Sequence, residues 1–146
     1  WKTESLRVIL TKEHRLAKKR SIDPGELSNE SLVTLSNTVA PAFREKLIRI
    51  FKPTRKLPPI GSETTGVPAI LGMVIAGSGF SILPNSALGK PDSSLVSIKL
   101  RSDEAKLEEV FLYKKAKENE ALQSFVALLS DKLFPRDFER QAEKGF

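Results

Sequence analysis

One stretch limits the possible folds of this chain more than any other. Residues Glu63 to Pro84 read ETTGVPAILGMVIAGSGFSILP. Thr64 and Thr65 are candidate helix N-caps, and Pro68 suits a first helical turn, where its missing N–H costs nothing. Val67, Ile70, Leu71, Val74 and Ile75 wrap most of a helical circumference, which predicts a helix buried on more than one side. Gly77 and Gly79 suit a left-handed helix exit, and Phe80–Leu83 reads as a short core strand ending at Pro84.

The flanking sequence repeats the same grammar. Leu6–Leu10 is a strand pattern and Leu32–Leu35 a β-prone run. From Pro41 to Phe51 a helix places Phe43, Leu47, Ile50 and Phe51 on one face, with Arg44, Glu45, Lys46 and Arg49 elsewhere. Leu57–Glu63 is a loop entering a strand. Asn85–Leu88 suits one helical turn, and Leu95–Leu100 alternates as a strand. Arg101–Lys106 reads as an exposed connector and Val110–Tyr113 as a strand. Ala121, Leu122, Phe125, Leu128 and Leu129 mark a helix reaching about Phe134, and a polar tail follows from Arg136 to Phe146. Strand, polar turn and helix in alternation predict an open α/β sheet with mainly parallel strands.

The composition excludes several kinds of chemistry. The 146 residues contain no cysteine, so no disulfide or thiolate metal site is available, and the lone histidine, His14, cannot make a histidine cluster. His14 reads as a residue bracing a turn. There is no dinucleotide fingerprint, phosphate loop, nucleophile elbow or metal spacing, so no catalytic residue, metal or cofactor is assigned and the chain is read as a non-enzyme. No apolar run is long enough to span a bilayer and no signal-peptide layout opens the chain, which reads as an intracellular, cytoplasmic domain without a membrane partner. The net charge of +6 invites nucleic acid, yet no aromatics interleave the basic runs, and solvated surface is the stronger reading.

In open α/β sheets, ligands gather outside the carboxyl ends of strands. Two such ends carry polar groups at a helix start: Ser36, Asn37 and Thr38 after Leu35, and Ser62 to Thr65 after Ile60. Backbone N–H groups and helix dipoles at both points suit a carboxylate or other small anion. Each hydroxyl is also a plausible helix cap, so capping stands beside ligand contact at this stage. Glu63 reads as a turn brace.

Glu63-Thr64-Thr65 followed by Val74 to Pro84 resembles the "E…LVAAGLGIALVP" signature of LysR-type transcriptional regulators. Leu6–Ala17 is similar to their "VLPKDHPLA" segment, with Arg15 where proline is usual, a departure expected to loosen the turn. The resemblance implies the C-terminal part of an effector-binding domain with the type 2 periplasmic-binding-protein fold: an α/β lobe with a mixed, mostly parallel sheet flanked by helices. Residues 1–11 would be a first hinge crossing, 12–94 the second lobe, 95–134 a second crossing with the strand and helix of the other lobe, and 135–146 a tail. On the matching segment Ser36, Asn37, Thr38, Pro41 and Phe43 would line the effector cleft, joined by Thr64 and Thr65; Phe43 serves equally well as core. The implied partners are a small anionic effector, promoter DNA reached through an N-terminal helix-turn-helix domain outside this sequence, and further copies in a homodimer or homotetramer. A periplasmic-type solute-binding protein of a transporter is the alternative on the same fold.

Overall fold

Both cores are built on β1 (Lys2–Thr11), a strand longer than its apolar centre predicts. The computed structural model describes residues 2–89, 94–109, 121, 123–125 and 127–128. The remaining elements in order are β2 (Ser21–Ile22), α1 (Pro24–Leu27), β3 (Leu32–Leu35), α2 (Pro41–Phe51), β4 (Ile60–Thr64), α3 (Val67–Ile75), β5 (Ser81–Pro84), β6 (Leu95–Leu100) and β7 (Lys106–Glu109). Single 3-10 turns cover Lys52–Thr54 and Asn85–Leu88. The expected strand Val110–Tyr113 and the tail from Arg136 lie outside the described residues, whereas positions 121, 123–125 and 127–128 are helical, as expected.

The chain divides into two compact units, residues 3–107 and residues 1–2 with 108–146. Within the first, the sheet is mixed. β1 runs antiparallel to β5, with Val8 opposite Ile82, and antiparallel to β6, with Val8 opposite Ile98. β2 lies parallel to β6, and β3 parallel to β4. A parallel bridge between Leu32 and Phe80 connects the β3–β4 pair to β5.

Alternation along β1 separates two cores. Leu6, Val8 and Leu10 join Leu27 of α1, Leu47, Ile50 and Phe51 of α2, and Phe80, Ile82 and Ile98 of the sheet. Ile9 faces the other way and packs with Val33, Leu83, and Ile70 and Val74 of α3. α2 buries the apolar face that its sequence predicts, with Phe43 packed only partly against it.

α3 departs from expectation. Ile70 and Val74 are buried, but Ala69, Gly72, Ile75 and Ala76 are exposed, because only one sheet face meets the helix among the described residues. Its apolar composition is therefore divided between core and surface. The helix ends in a Schellman arrangement: Ser78 N–H donates to Met73 O at 3.0 Å, Gly77 N–H to Val74 O at 2.9 Å, and Gly77 takes φ 80°. Gly79 has a different task from the exit expected of it. At φ 144° it lies so close to the next loop that an added Cβ would sit 2.0 Å from Ser31 O.

Two further differences concern charged residues. Arg15 pins its turn instead of loosening it, since Nε donates to Glu30 Oε1 at 2.8 Å and a terminal nitrogen donates to Glu26 O at 3.1 Å. His14 braces the same turn: Leu16 N–H donates to its Nδ1 at 3.2 Å, and Nε2 lies 3.6 Å from Glu30. The connector expected to reach Lys106 ends one residue earlier. Leu6 N–H donates to Ala105 O at 2.9 Å, drawing the following residues into β7, so Glu108 sits on a strand.

Gly79→Ala should lower unfolding stability by about 2 kcal/mol or more, combining overpacking with a left-handed backbone that alanine resists. Gly77→Ala, with open space around it, should cost only about 1 kcal/mol. Denaturant midpoints of the two variants check the ordering. Lys19's hydrogen bond, and then Asp23 N–H, hold the Glu26 carboxyl below the usual glutamate range. A depressed folded-state pKa contributes stability above the unfolded value and loses it as pH falls through the folded one. Glu26→Gln should therefore be slightly less stable than the parent near neutrality and indistinguishable from it in acid, as read from denaturant midpoints across pH.

Candidate functional site

The β3–β4 register places the two predicted polar turns side by side. Leu35 pairs with Thr64 in the last rung of the parallel ladder, and Ser36 N–H then donates to Thr64 O at 2.8 Å. Both strands end at the same edge, and each chain then turns into a helix, α2 or α3. Ser36 O accepts from Val39 N–H at 3.1 Å and Ala40 N–H at 3.0 Å, which curls Ser36–Ala40 tightly.

The capping alternative fails at both turns. The N-cap of α2 is Ala40 and that of α3 is Gly66, and neither helix has a side-chain cap. Thr64 and Thr65 miss the cap position because β4 continues through Thr64, leaving Thr65 and Gly66 to make the reversal. Thr64 is buried, and its Oγ1 bonds to Gly66, accepting from the N–H at 3.4 Å and donating to the carbonyl at 3.0 Å. Among the described residues, the side chains of Ser36, Asn37, Thr38 and Thr65 have no hydrogen-bond partner. Asn37, Thr38, Thr65 and Pro41 are exposed, while Ser36 and Phe43 are half-buried. The edge thus combines uncapped helix N-termini with unspent hydroxyl and amide groups, an arrangement suited to a small anion.

Arg44 is the neighbour that sequence reasoning missed. From the first turns of α2 it reaches the Glu63 carboxylate on β4. Its side chain is only 14% exposed, and it neutralises the carboxylate that would otherwise repel an anion at this edge. The sequence signal was weak: nothing in the local pattern of α2 singles out Arg44 among its charged neighbours. No group of three His, Asp or Glu side chains among the described residues is placed to hold a metal ion. No helix among them is long and apolar enough to cross a membrane. A surface hollow of about 390 Å³ lies at the other end of α2, away from these turns.

The class defined by this architecture is an α/β lobe, a mixed sheet with helices packed against it. The LysR substrate binding domain model matches residues 1–133, and the chain belongs to that family. It is 26% identical over 119 residues to the HTH-type transcriptional regulator AlsR of Bacillus subtilis (strain 168), covering 82% of this chain and 39% of AlsR. Among solved structures it is similar to HinK, a LysR family transcriptional regulator from Pseudomonas aeruginosa, with TM-score 0.71 and 22% identity, covering 90% of this chain and 46% of HinK. It is also similar to the CcmR regulatory domain of Synechocystis PCC6803 in complex with 2-PG, with TM-score 0.64 and 17% identity, covering 90% of this chain and 65% of that one. The chain thus spans less than half the length of AlsR or HinK. None of these matches supports the transporter alternative.

Arg44→Met should leave Glu63 uncompensated and cost up to about 1 kcal/mol at low salt, a figure kept small because Glu63 is 39% exposed. Adding Glu63→Gln should recover most of it. A double-mutant cycle from denaturant melts measures the coupling.

Proposed function

We propose that this chain is the effector-sensing part of a LysR-type transcriptional regulator, and that the paired turns at Ser36–Ala40 and Thr64–Gly66 receive a small anionic effector such as a carboxylate. One observation carries the reading: neighbouring parallel strands end together, each runs into an uncapped helix, and the side chains of Ser36, Asn37, Thr38 and Thr65 make no hydrogen bond among the described residues. Ser36, Asn37, Thr38 and Thr65 supply the polar contacts. Pro41 and Phe43 supply an apolar edge, and Thr64 shapes the turn through Gly66. The 2-PG complex of the CcmR regulatory domain supports ligand sensing on this fold.

Binding would act by shifting populations. An effector held more tightly by one arrangement of the domain biases the regulator toward it by no more than the difference in affinity. The readout would be the geometry of a homo-oligomer, and so its grip on promoter DNA through a helix-turn-helix domain beyond this sequence. The exposed apolar stripe Ala69, Gly72, Ile75 and Ala76 on α3 supports self-association, because small residues one turn apart let a second surface approach closely.

A thermal-shift screen of small carboxylates and phosphorylated acids on the intact regulator should find compounds that raise Tm. Thr38→Val and Thr65→Val should each weaken such a ligand about tenfold or more, the usual loss for a hydrogen bond to a charged group, while leaving the unliganded Tm unchanged. Stabilisation by uncharged or cationic compounds alone would overturn the anionic assignment.

A further inference from the structure

The far end of α2 carries a second feature, unrelated to the effector turns. The last helical turn, the 3-10 turn and the following loop enclose an open-mouthed hollow of about 390 Å³ lined by Ile48, Phe51, Leu57, Lys52, Arg55 and Lys56, with Arg49 alongside. Phe51 is buried, Leu57 half-buried, and Ile48 is 54% exposed on the otherwise polar side of the helix. Lys52, Arg55 and Lys56 are exposed and pair with no carboxylate among the described residues, whereas Arg49 is occupied by Glu45 and Glu104. The acids of the packed neighbour α1 are occupied too: Glu26 holds Lys19 and Asp23 holds Arg101. A helix C-terminus carries only about half a negative charge, far less than these three cations supply.

The backbone adds an independent observation. Arg55, at φ 57° and ψ 10°, is the single non-glycine residue with positive φ among the described residues; the other such positions are Gly77, Gly79 and Gly89. Thr54 Oγ1 fixes the turn, lying 2.7 Å from both Phe51 O and Lys56 O. Arg55 thus ends the 3-10 turn in the left-handed conformation where glycine is usual, and a long cation stands at the rim of the hollow in its place.

From these features we infer that this hollow docks a segment of a partner protein in which carboxylates flank one bulky apolar side chain. The charge selects the acids, and the apolar floor selects the side chain between them. The same floor argues against a nucleic-acid backbone, which offers nothing to bury against Ile48 and Leu57. The open mouth argues against a small molecule, since sites for such ligands enclose most of the ligand surface. Binding of this kind is driven by a buried apolar anchor with a charged rim that sets the on-rate and salt dependence.

Panning random displayed peptides on the intact regulator, and in parallel on Lys52→Glu/Arg55→Glu, tests the inference. The parent should enrich peptides with Asp or Glu on both sides of Leu, Ile or Phe, and the variant should not. A synthetic peptide of the enriched sequence should bind about tenfold more weakly to the charge-reversed protein, to Ile48→Ser, and to the parent in high salt. Arg55→Gly should keep or raise Tm yet lose affinity, which separates docking from a purely structural role. Equal enrichment on parent and variant would overturn the inference. So would affinity insensitive to Ile48→Ser, or displacement of the peptide by duplex DNA or inorganic phosphate. Loss of self-association in the charge-reversed protein, without peptide enrichment on the parent, would reassign the hollow to a second copy of the chain. None of these outcomes depends on the effector turns.

Discussion

Two hydrogen bonds join the edge that carries the polar turns to the larger sheet. Phe80 N–H donates to Ser31 O at 2.9 Å and Val33 N–H to Phe80 O at 2.8 Å, and the bridge they form connects the β3–β4 pair to the larger sheet. The approach is so close that a Cβ at Gly79 would strike the Ser31 carbonyl, and one at Gly61 would have to displace the Ser31 hydroxyl. Buried backbone groups must find partners, and here they find them across two loops brought into contact. Ser36–Ala40 and Thr64–Gly66 hang from this join, because both turns grow from the strands it fixes.

α2 ties the two ends of that arrangement into one rigid piece. Its N-terminal turns hold Glu63 through Arg44, its middle meets Glu104 through Lys46 at 3.3 Å and Arg49 at 3.4 Å, and its apolar face fills the larger core. The ion pairs are partly exposed and individually weak, so packing of Leu47, Ile50 and Phe51 carries the stability and the charges set orientation. The polar turns and the basic, apolar-floored hollow are therefore opposite ends of a single helix with different chemistry at each.

Much of this was legible in the sequence. β3, α2 and β6 occupy Leu32–Leu35, Pro41–Phe51 and Leu95–Leu100, where period-2 and period-3.6 patterns and a first-turn proline marked them. The adjacency of the two polar turns followed from strand order and the rule that ligands gather at carboxyl ends. What the sequence hid depends on neighbours it does not encode locally. Apolar residues all round α3 could not reveal that only Ile70 and Val74 would be fully buried, with Val67, Leu71 and Met73 packed partly against the core. The connector expected over Arg101–Lys106 gives up its last residue to β7, which nothing in the charged run itself signals. Thr64 and Thr65 looked like caps because nothing local says that β4 runs one rung further.

The two-faced packing of β1 has a genetic corollary. Its even positions, Leu6, Val8 and Leu10, read the layer that contains α2, and its odd position Ile9 reads the layer that contains α3. The strand works as a parity code. Compensating changes for a defect beneath α2 will accumulate at even positions, while those for a defect behind α3 will fall at Ile9.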